Sequence, residues 1–213
     1  PKSGKAKTEV AATCLGFDPA LSSHFHVFEF IEENTELSGV AVYSSETGEW
    51  VYKEERWIGE ATWLAGRHSS TAVFLDGLLF FSAFDPDLYD CVAAVDTKGE
   101  TWMKFRVPGG QVDGFVQRSI LGAPADQFDD LDLAHGFIQR SQGRLHYANF
   151  QRGGDSVIRL VVYVLNDYQS RKWILKHSIE ASHIFRGMDA YLLGRFGWAA
   201  MDFGWIAIHP ECN

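Results

Sequence analysis

Three times along this chain a strand-like run breaks at a polar turn, and the run that follows carries tryptophan near its start. Val42-Tyr43-Ser44 passes through Ser45-Glu46-Thr47-Gly48 to Glu49-Trp50, and Val95-Asp96 passes through Thr97-Lys98-Gly99 to Glu100-Thr101-Trp102. Val164-Leu165 passes through a longer turn to Arg171-Lys172-Trp173. Runs of Val, Ile, Phe, Tyr and Trp bounded by Gly, Asp, Asn and Ser are the mark of strands joined by hairpins. Almost no stretch holds helical apolar spacing for three turns, and 181–193 is the one helix candidate. The chain therefore reads as all-β.

Five hairpins follow from the turn chemistry. Residues 40–44 pair with 49–53, and 72–75 pair with 78–81 across Asp76-Gly77. Asp-Gly between two apolar runs is the strongest short hairpin signal there is. Residues 92–96 pair with 101–107, 136–139 with 145–149 across Ser141-Gln142-Gly143, and 158–165 with 172–177 across 166–171. The second and third tryptophan units are each preceded by another strand, Gly-containing turn and strand, which makes four strands per unit. The three tryptophans stand 52 and 71 residues apart, and the longer gap holds a polar stretch, 123–132, read as an inserted loop.

Four antiparallel strands at a period near 50 is the pattern of kelch-like β-propeller blades, each a sheet that buries its faces only against its neighbours. A pair of β-sandwiches is the competing architecture, but it gives no reason for tryptophan at matched places. Trp50, Trp102 and Trp173 are accordingly expected to pack between blades. The domain is expected over 15–213, after an N-terminal basic segment, 1–14. It contains about three blades and the start of a fourth at 198–208, fewer than the roughly four to eight that close a ring. The propeller is thus expected to be incomplete, in keeping with a chain that opens at Pro1 rather than Met.

Composition narrows the partners. Twenty-eight Asp and Glu against 19 Lys and Arg give a net charge of −9, which disfavours nucleic acid, because phosphate binding needs a clustered basic surface. No apolar run approaches the roughly 20 residues of a membrane span. Cys14, Cys91 and Cys212 fit neither a zinc site nor a disulfide framework and read as thiols in a reducing compartment. Charge is unevenly spread: 29–60 holds nine acids against Lys53 and Arg56, whereas 152–195 holds seven bases against four acids. Such asymmetry can steer a partner of mixed charge, but solvated strand faces and loops are the better reading.

The chain carries none of the standard nucleophile-elbow, zinc-protease, P-loop or dinucleotide motifs. His24 and His26 lie two apart and would share a strand face, yet nothing completes a metal set, and structural histidines are the better reading. Asp126, Asp129, Asp130 and Asp132 lack calcium-loop spacing, and the neighbours Glu54 and Glu55 would point to opposite faces. No cofactor and no metal is expected. Trp57 and Trp63 differ from the repeating tryptophans: they lie outside the repeat with Arg67 and His68 nearby, and Trp and Arg are the commonest interface anchors. Phe128 with Asp129, and Phe185 with Arg186, occupy comparable connections. The candidate protein-binding residues are therefore Trp57, Trp63, Arg67, His68, Phe128, Phe185 and Arg186, in the connections 54–70, 122–135 and 178–196.

Several phrases of the chain carry a resemblance. Leu15-Gly16-Phe17-Asp18-Pro19, Ser22-Ser23-His24-Phe25-His26-Val27-Phe28, Val42 through Trp50, Ser141-Gln142-Gly143-Arg144-Leu145 and Trp173-Ile174-Leu175-Lys176-His177 together resemble the region that follows the F-box in plant F-box proteins, especially those of grasses. The resemblance runs from about Leu15 to the C-terminus. It implies a non-catalytic, client-binding part of an SCF-type cullin-RING ubiquitin ligase, at work in the cytoplasm or nucleus. In such ligases the F-box docks on a Skp-type adaptor. No F-box is found in these residues, so adaptor binding is carried over to none of them, and the client stays unnamed. The alternatives are a glycan-binding or kelch-type enzyme domain, with Trp57 or Trp63 stacking on a sugar, and a fragment without autonomous function.

Overall fold

The computed structural model describes residues 8–33, 36–54, 63–64, 72–85, 89–108, 136–152, 155, 157–168 and 170–184. They form thirteen strands and one helical turn: β1 (Thr8–Gly16), β2 (His26–Glu33), β3 (Glu36–Ser44), β4 (Glu49–Glu54), β5 (Trp63–Leu64), β6 (Ala72–Leu75), β7 (Leu78–Asp85), β8 (Tyr89–Asp96), β9 (Trp102–Arg106), β10 (Phe137–Ser141), β11 (Arg144–Arg152), β12 (Ile158–Asp167), β13 (Lys172–Glu180) and α1 (Ala181–Ile184). The fold is all-β, in three antiparallel sheets: β1 to β4 and β10 to β13, each with its strands in chain order, and β5 to β9, in which β5 and β6 both pair with β7 and β8 and β9 follow in order. The chain divides into two units, Pro1–Arg106 with the first two sheets and Val107–Asn213 with the third. No helix among the described residues is long and apolar enough to cross a membrane.

Turn chemistry sets the registers. Leu75 faces Leu78 across Asp76-Gly77, and Ser141 faces Arg144 across Gln142-Gly143. Both residues of each turn have positive φ, from 50° to 78°, the geometry that follows the natural twist of a two-residue hairpin. Ser141, expected in the turn, therefore ends β10. The β8–β9 turn is held by one side chain: Asp96 accepts from the amides of Lys98, Glu100 and Thr101 at 2.9–3.1 Å. Partial burial pushes the Asp96 carboxyl up, but a hydrogen bond from the Thr101 side chain, followed by those amide bonds, outweighs it and holds its pKa below the usual range.

The middle sheet has a divided first strand. β6 pairs with Leu78 to Phe81 of β7, while β5 pairs with Ala83 and Phe84 further along the same strand. Counting β5 and β6 as one interrupted strand, each sheet is a four-stranded meander, as the repeat predicts. β1 begins at Thr8 and pairs with β2 throughout its length, so part of the expected N-terminal segment is sheet. The helix candidate is represented by the single turn of α1; the inserted loop and the start of a fourth unit lie outside the described residues.

Alternation decides what is buried. Phe28 and Phe30 of β2 and Val40 and Val42 of β3 face Leu79, Phe81 and Ala83 of β7 and Cys91, Ala93 and Val95 of β8, all buried in one core. The rings of Phe30 and Phe81 lie 4.5 Å apart across the two sheets. The intervening residues of the middle sheet, Phe80, Val92, Ala94 and Phe105, are buried as well, so that sheet is covered on both faces. In the third sheet β11 is similarly enclosed, with Leu145, Tyr147 and Asn149 on one face and His146, Ala148 and Phe150 on the other.

The repeating tryptophans occupy equivalent sites. Each lies in the last strand of its sheet, opposite the residue one step inside the turn: Tyr43 with Trp50, Val95 with Trp102, and Leu165 with Trp173. Their surroundings differ. Trp102 packs on the core of the first unit and donates Nε1–H to the Gly99 carbonyl at 3.1 Å, and Trp173 lies 6.0 Å from Tyr147. Trp50 rests on Tyr43 and is 50% exposed. Packing between sheets, expected for all three, does not describe Trp50, because β4 is exposed along nearly its whole length.

Replacing Phe81 with Ala is expected to lower the unfolding free energy by about 3–5 kcal/mol, the cost of a cavity in a dense core. Val51→Ala in β4 is expected to cost less than about 1 kcal/mol. Urea unfolding of the two variants followed by circular dichroism measures the contrast.

Candidate protein-binding surfaces

Of the residues expected to bind a partner, Trp57, Arg67, His68, Phe128, Phe185 and Arg186 lie outside the described residues. Trp63 is placed by its backbone alone, in β5 opposite Phe84; it belongs to a strand rather than to a connection. The described residues offer two other surfaces.

The first is the face of the β1–β4 sheet turned away from the core. Cross-strand registers put Leu15, Val27, Tyr43 and Trp50 in one row across this face, Thr13, Glu29, Ala41 and Tyr52 in the next, and Ile31, Gly39 and Glu54 beyond. Leu15 and Tyr52 are more than half exposed. Gly39 is required here, because a Cβ at this position would approach the Lys53 carbonyl oxygen to 2.6 Å and the Tyr52 hydroxyl to 3.2 Å. Among the described residues the face carries the carboxylates of Glu29, Glu33 and Glu54 and no lysine or arginine. Partial burial, followed by the charges of Glu54 and Glu33, raises the Tyr52 hydroxyl above its ordinary pKa. An aromatic surface among carboxylates suits a partner with both apolar and cationic groups.

The second is a cleft of about 250 Å³ on the β10–β13 sheet, lined by Gln142, Arg144, His146, Val164, Ile174, Leu175 and Lys176. Its cations suit an acidic group. His146, 2% exposed, forms part of its lining. Its Nδ1 lies 3.3 Å from the Arg144 carbonyl oxygen; a carbonyl only accepts, so Nδ1 carries the proton in the neutral ring. Burial, with the charges of Lys176, Arg144 and His177, lowers the His146 pKa against the opposing pull of that hydrogen bond. The imidazole is therefore neutral at pH 7.

The two histidines weighed as metal ligands do not form a site together. His24 is exposed in the bend before β2, whereas His26 opens β2 with its ring against Phe28 and Phe74. The Nδ1 of His26 is buried without a hydrogen-bond partner, so aromatic packing rather than hydrogen bonding holds this side chain. No group of three or more metal-ligating side chains occurs among the described residues. The acids at 126–132 and Glu55 lie outside them. The Cys14 thiol is half-buried in β1, and Cys91 is buried in the core of the first unit.

Sequence reasoning missed the sheet surface because it treated Trp50 as one of three equal repeats. The signal was in Glu49-Trp50-Val51-Tyr52-Lys53-Glu54, where apolar residues run without the polar alternation that marks one buried and one wet face. No family model matches the chain, and no curated protein matches it.

The lowered pKa of His146 has a pH consequence. Because the folded protein resists protonation here, the unfolded chain binds more protons as pH falls through its ordinary value of 6.5, and stability drops. The melting temperature is expected to fall between about pH 7 and pH 5.5, and to fall less in a His146→Leu variant.

Proposed function

We propose that this chain is the client-binding region of an F-box protein, a non-catalytic module that presents proteins to an SCF-type ubiquitin ligase. One observation supports it above the others: the same four-stranded meander occurs three times in succession, with tryptophan at an equivalent place in the last strand of each. Repetition of this kind is what a kelch-like propeller requires of its blades. The phrases from Leu15 to His177 that resemble plant F-box proteins supply the functional part of the reading.

On this proposal the chain contributes recognition alone. A Skp-type adaptor is reached through an F-box outside these residues, and the module works in the cytoplasm or nucleus. Client contacts come from Trp57, Trp63, Arg67 and His68, with Phe128, Phe185 and Arg186 in the other connections. Trp50 and Tyr52 offer a further client surface on the β1–β4 sheet, where Glu29, Glu33 and Glu54 favour clients bearing lysine or arginine.

The test is affinity capture from plant extracts, with quantitative comparison of three proteins: the unaltered chain, a Trp57→Ala/Trp63→Ala/Arg67→Ala variant and a Trp50→Ala/Tyr52→Ala variant. A defined set of captured proteins is expected to fall at least about tenfold in each variant, as loss of interface anchors dictates, with circular dichroism unchanged. The same proteins are expected to accumulate when the proteasome is inhibited. Equal capture by the variants, or binding to a glycan array in place of protein, would contradict the proposal.

A further inference from the structure

The two strands that end the first and third sheets have complementary chemistry. Among the described residues β4 and β13 are each outermost in their sheets, and an outermost strand turns half of its N–H and C=O groups away from its strand partner. Neither contains proline or glycine. The β3–β4 register runs from Gly39 with Glu54 to Ser44 with Glu49 without a bulge, and β13 is regular from Trp173 to Leu175. The usual devices that blunt an edge are therefore missing from residues 50–52 in the middle of β4 and from residues 173–175 near the start of β13, ahead of the bulge at Lys176. Those two runs are apolar and open: Val51 is 44% and Ile174 43% exposed, beside Trp50, Tyr52 and Leu175.

Charge separates the two edges. Exposed Glu49 and Glu54 bracket the apolar centre of β4, with exposed Glu46 in the adjoining turn. Arg171, Lys172 and Lys176 bracket the apolar run of β13. We infer that β4 of one copy of this chain adds to β13 of a second copy, joining two sheets edge to edge. The inference goes beyond the client-binding proposal and does not rest on it.

The sequences of the two strands favour one alignment. Placed antiparallel with Val51 opposite Ile174, Trp50 meets Leu175 and Tyr52 meets Trp173 in the regular run, while Glu49 comes beside Lys176 at the β13 bulge and Glu54 beside Arg171 in the turn before β13. Opposite charges and aromatic or branched side chains are the pairs that stabilise neighbouring strands. Lys53 against Lys172 is the like-charge pair of this arrangement, and Lys53 directs its Nζ to Glu100 Oε1, 3.1 Å away in its own unit. A parallel arrangement about the same centre keeps one Glu–Lys pair and sets Lys53 against Lys176. Pairing β4 with another β4 sets Glu49 against Glu54 at both ends when Val51 faces Tyr52, and when Val51 faces Val51 it sets Glu49 against Lys53, whose ammonium is already engaged by Glu100. The contact is thus between unlike surfaces, head to tail.

Sedimentation equilibrium of the chain over a micromolar concentration series tests this association. The average mass is expected to rise above that of the monomer with concentration and to fall back in high salt, where ion pairs are screened. Val51→Lys and Ile174→Lys, on opposite sides of the contact, are each expected to weaken association at least about tenfold. Glu49→Lys and Lys176→Glu are each expected to weaken it by about two- to fivefold, the scale of an exposed ion pair. An equimolar mixture of these two charge variants is expected to regain association. If Val51→Lys fails to fold by circular dichroism, Ile174→Lys and the charge exchange still decide the matter. A monomer at every concentration, association unmoved by the edge variants, a mixture without rescue, or a monomer that captures only foreign proteins on β4 would each overturn the inference.

Discussion

The contact between Phe30 and Phe81 is the interaction on which the first unit depends. A single four-stranded meander has one face to bury and nothing of its own to bury it against. Phe28 and Phe30, two residues apart in β2, supply that face for the first sheet; Leu79, Phe81 and Ala83 supply it for the second. Each buried phenylalanine contributes on the order of 1.5–3 kcal/mol by leaving water, and the ring pair adds a directional preference. Because side chains alternate along a strand, fixing these residues inward also fixes Glu29, Tyr43, Trp50 and Tyr52 outward. The core and the exposed surface are thus two consequences of one register.

The hairpins were legible in the sequence because their turns are chemically specific. Asp76-Gly77 and Gln142-Gly143 lie between runs of strand formers, and both turns have the positive φ that such hairpins need. Matched placement of Trp50, Trp102 and Trp173 was legible as well, since position in a repeat is a property of the sequence. Burial was not. Whether an indole is covered depends on whether a second sheet faces it, and Trp50 lies on the face turned away from the Phe28 and Phe30 layer while Trp102 lies on the face turned towards it.

The divided first strand of the middle sheet shows another limit. Trp63-Leu64 is too short to read as a strand, and it becomes one because β7 extends beyond β6 and leaves Ala83 and Phe84 without a partner on that side. Tertiary pairing overrode local pattern here, as it does wherever β propensity is marginal. The candidate binding residues were chosen on residue type alone, and Trp63 shows how such a residue can prove to be part of the sheet.

The account holds that in each sheet the last strand is the least sheltered, while β7, β8 and β11 form the interior. Hydrogen exchange followed by mass spectrometry reads this directly, because amides of interior strands exchange only through large-scale opening. Peptides from β7, β8 and β11 are expected to retain hydrogen longest, with those from β4 and β13 exchanging orders of magnitude sooner at concentrations where the chain is a monomer. Equal protection of β4 and β8 under those conditions would contradict the account.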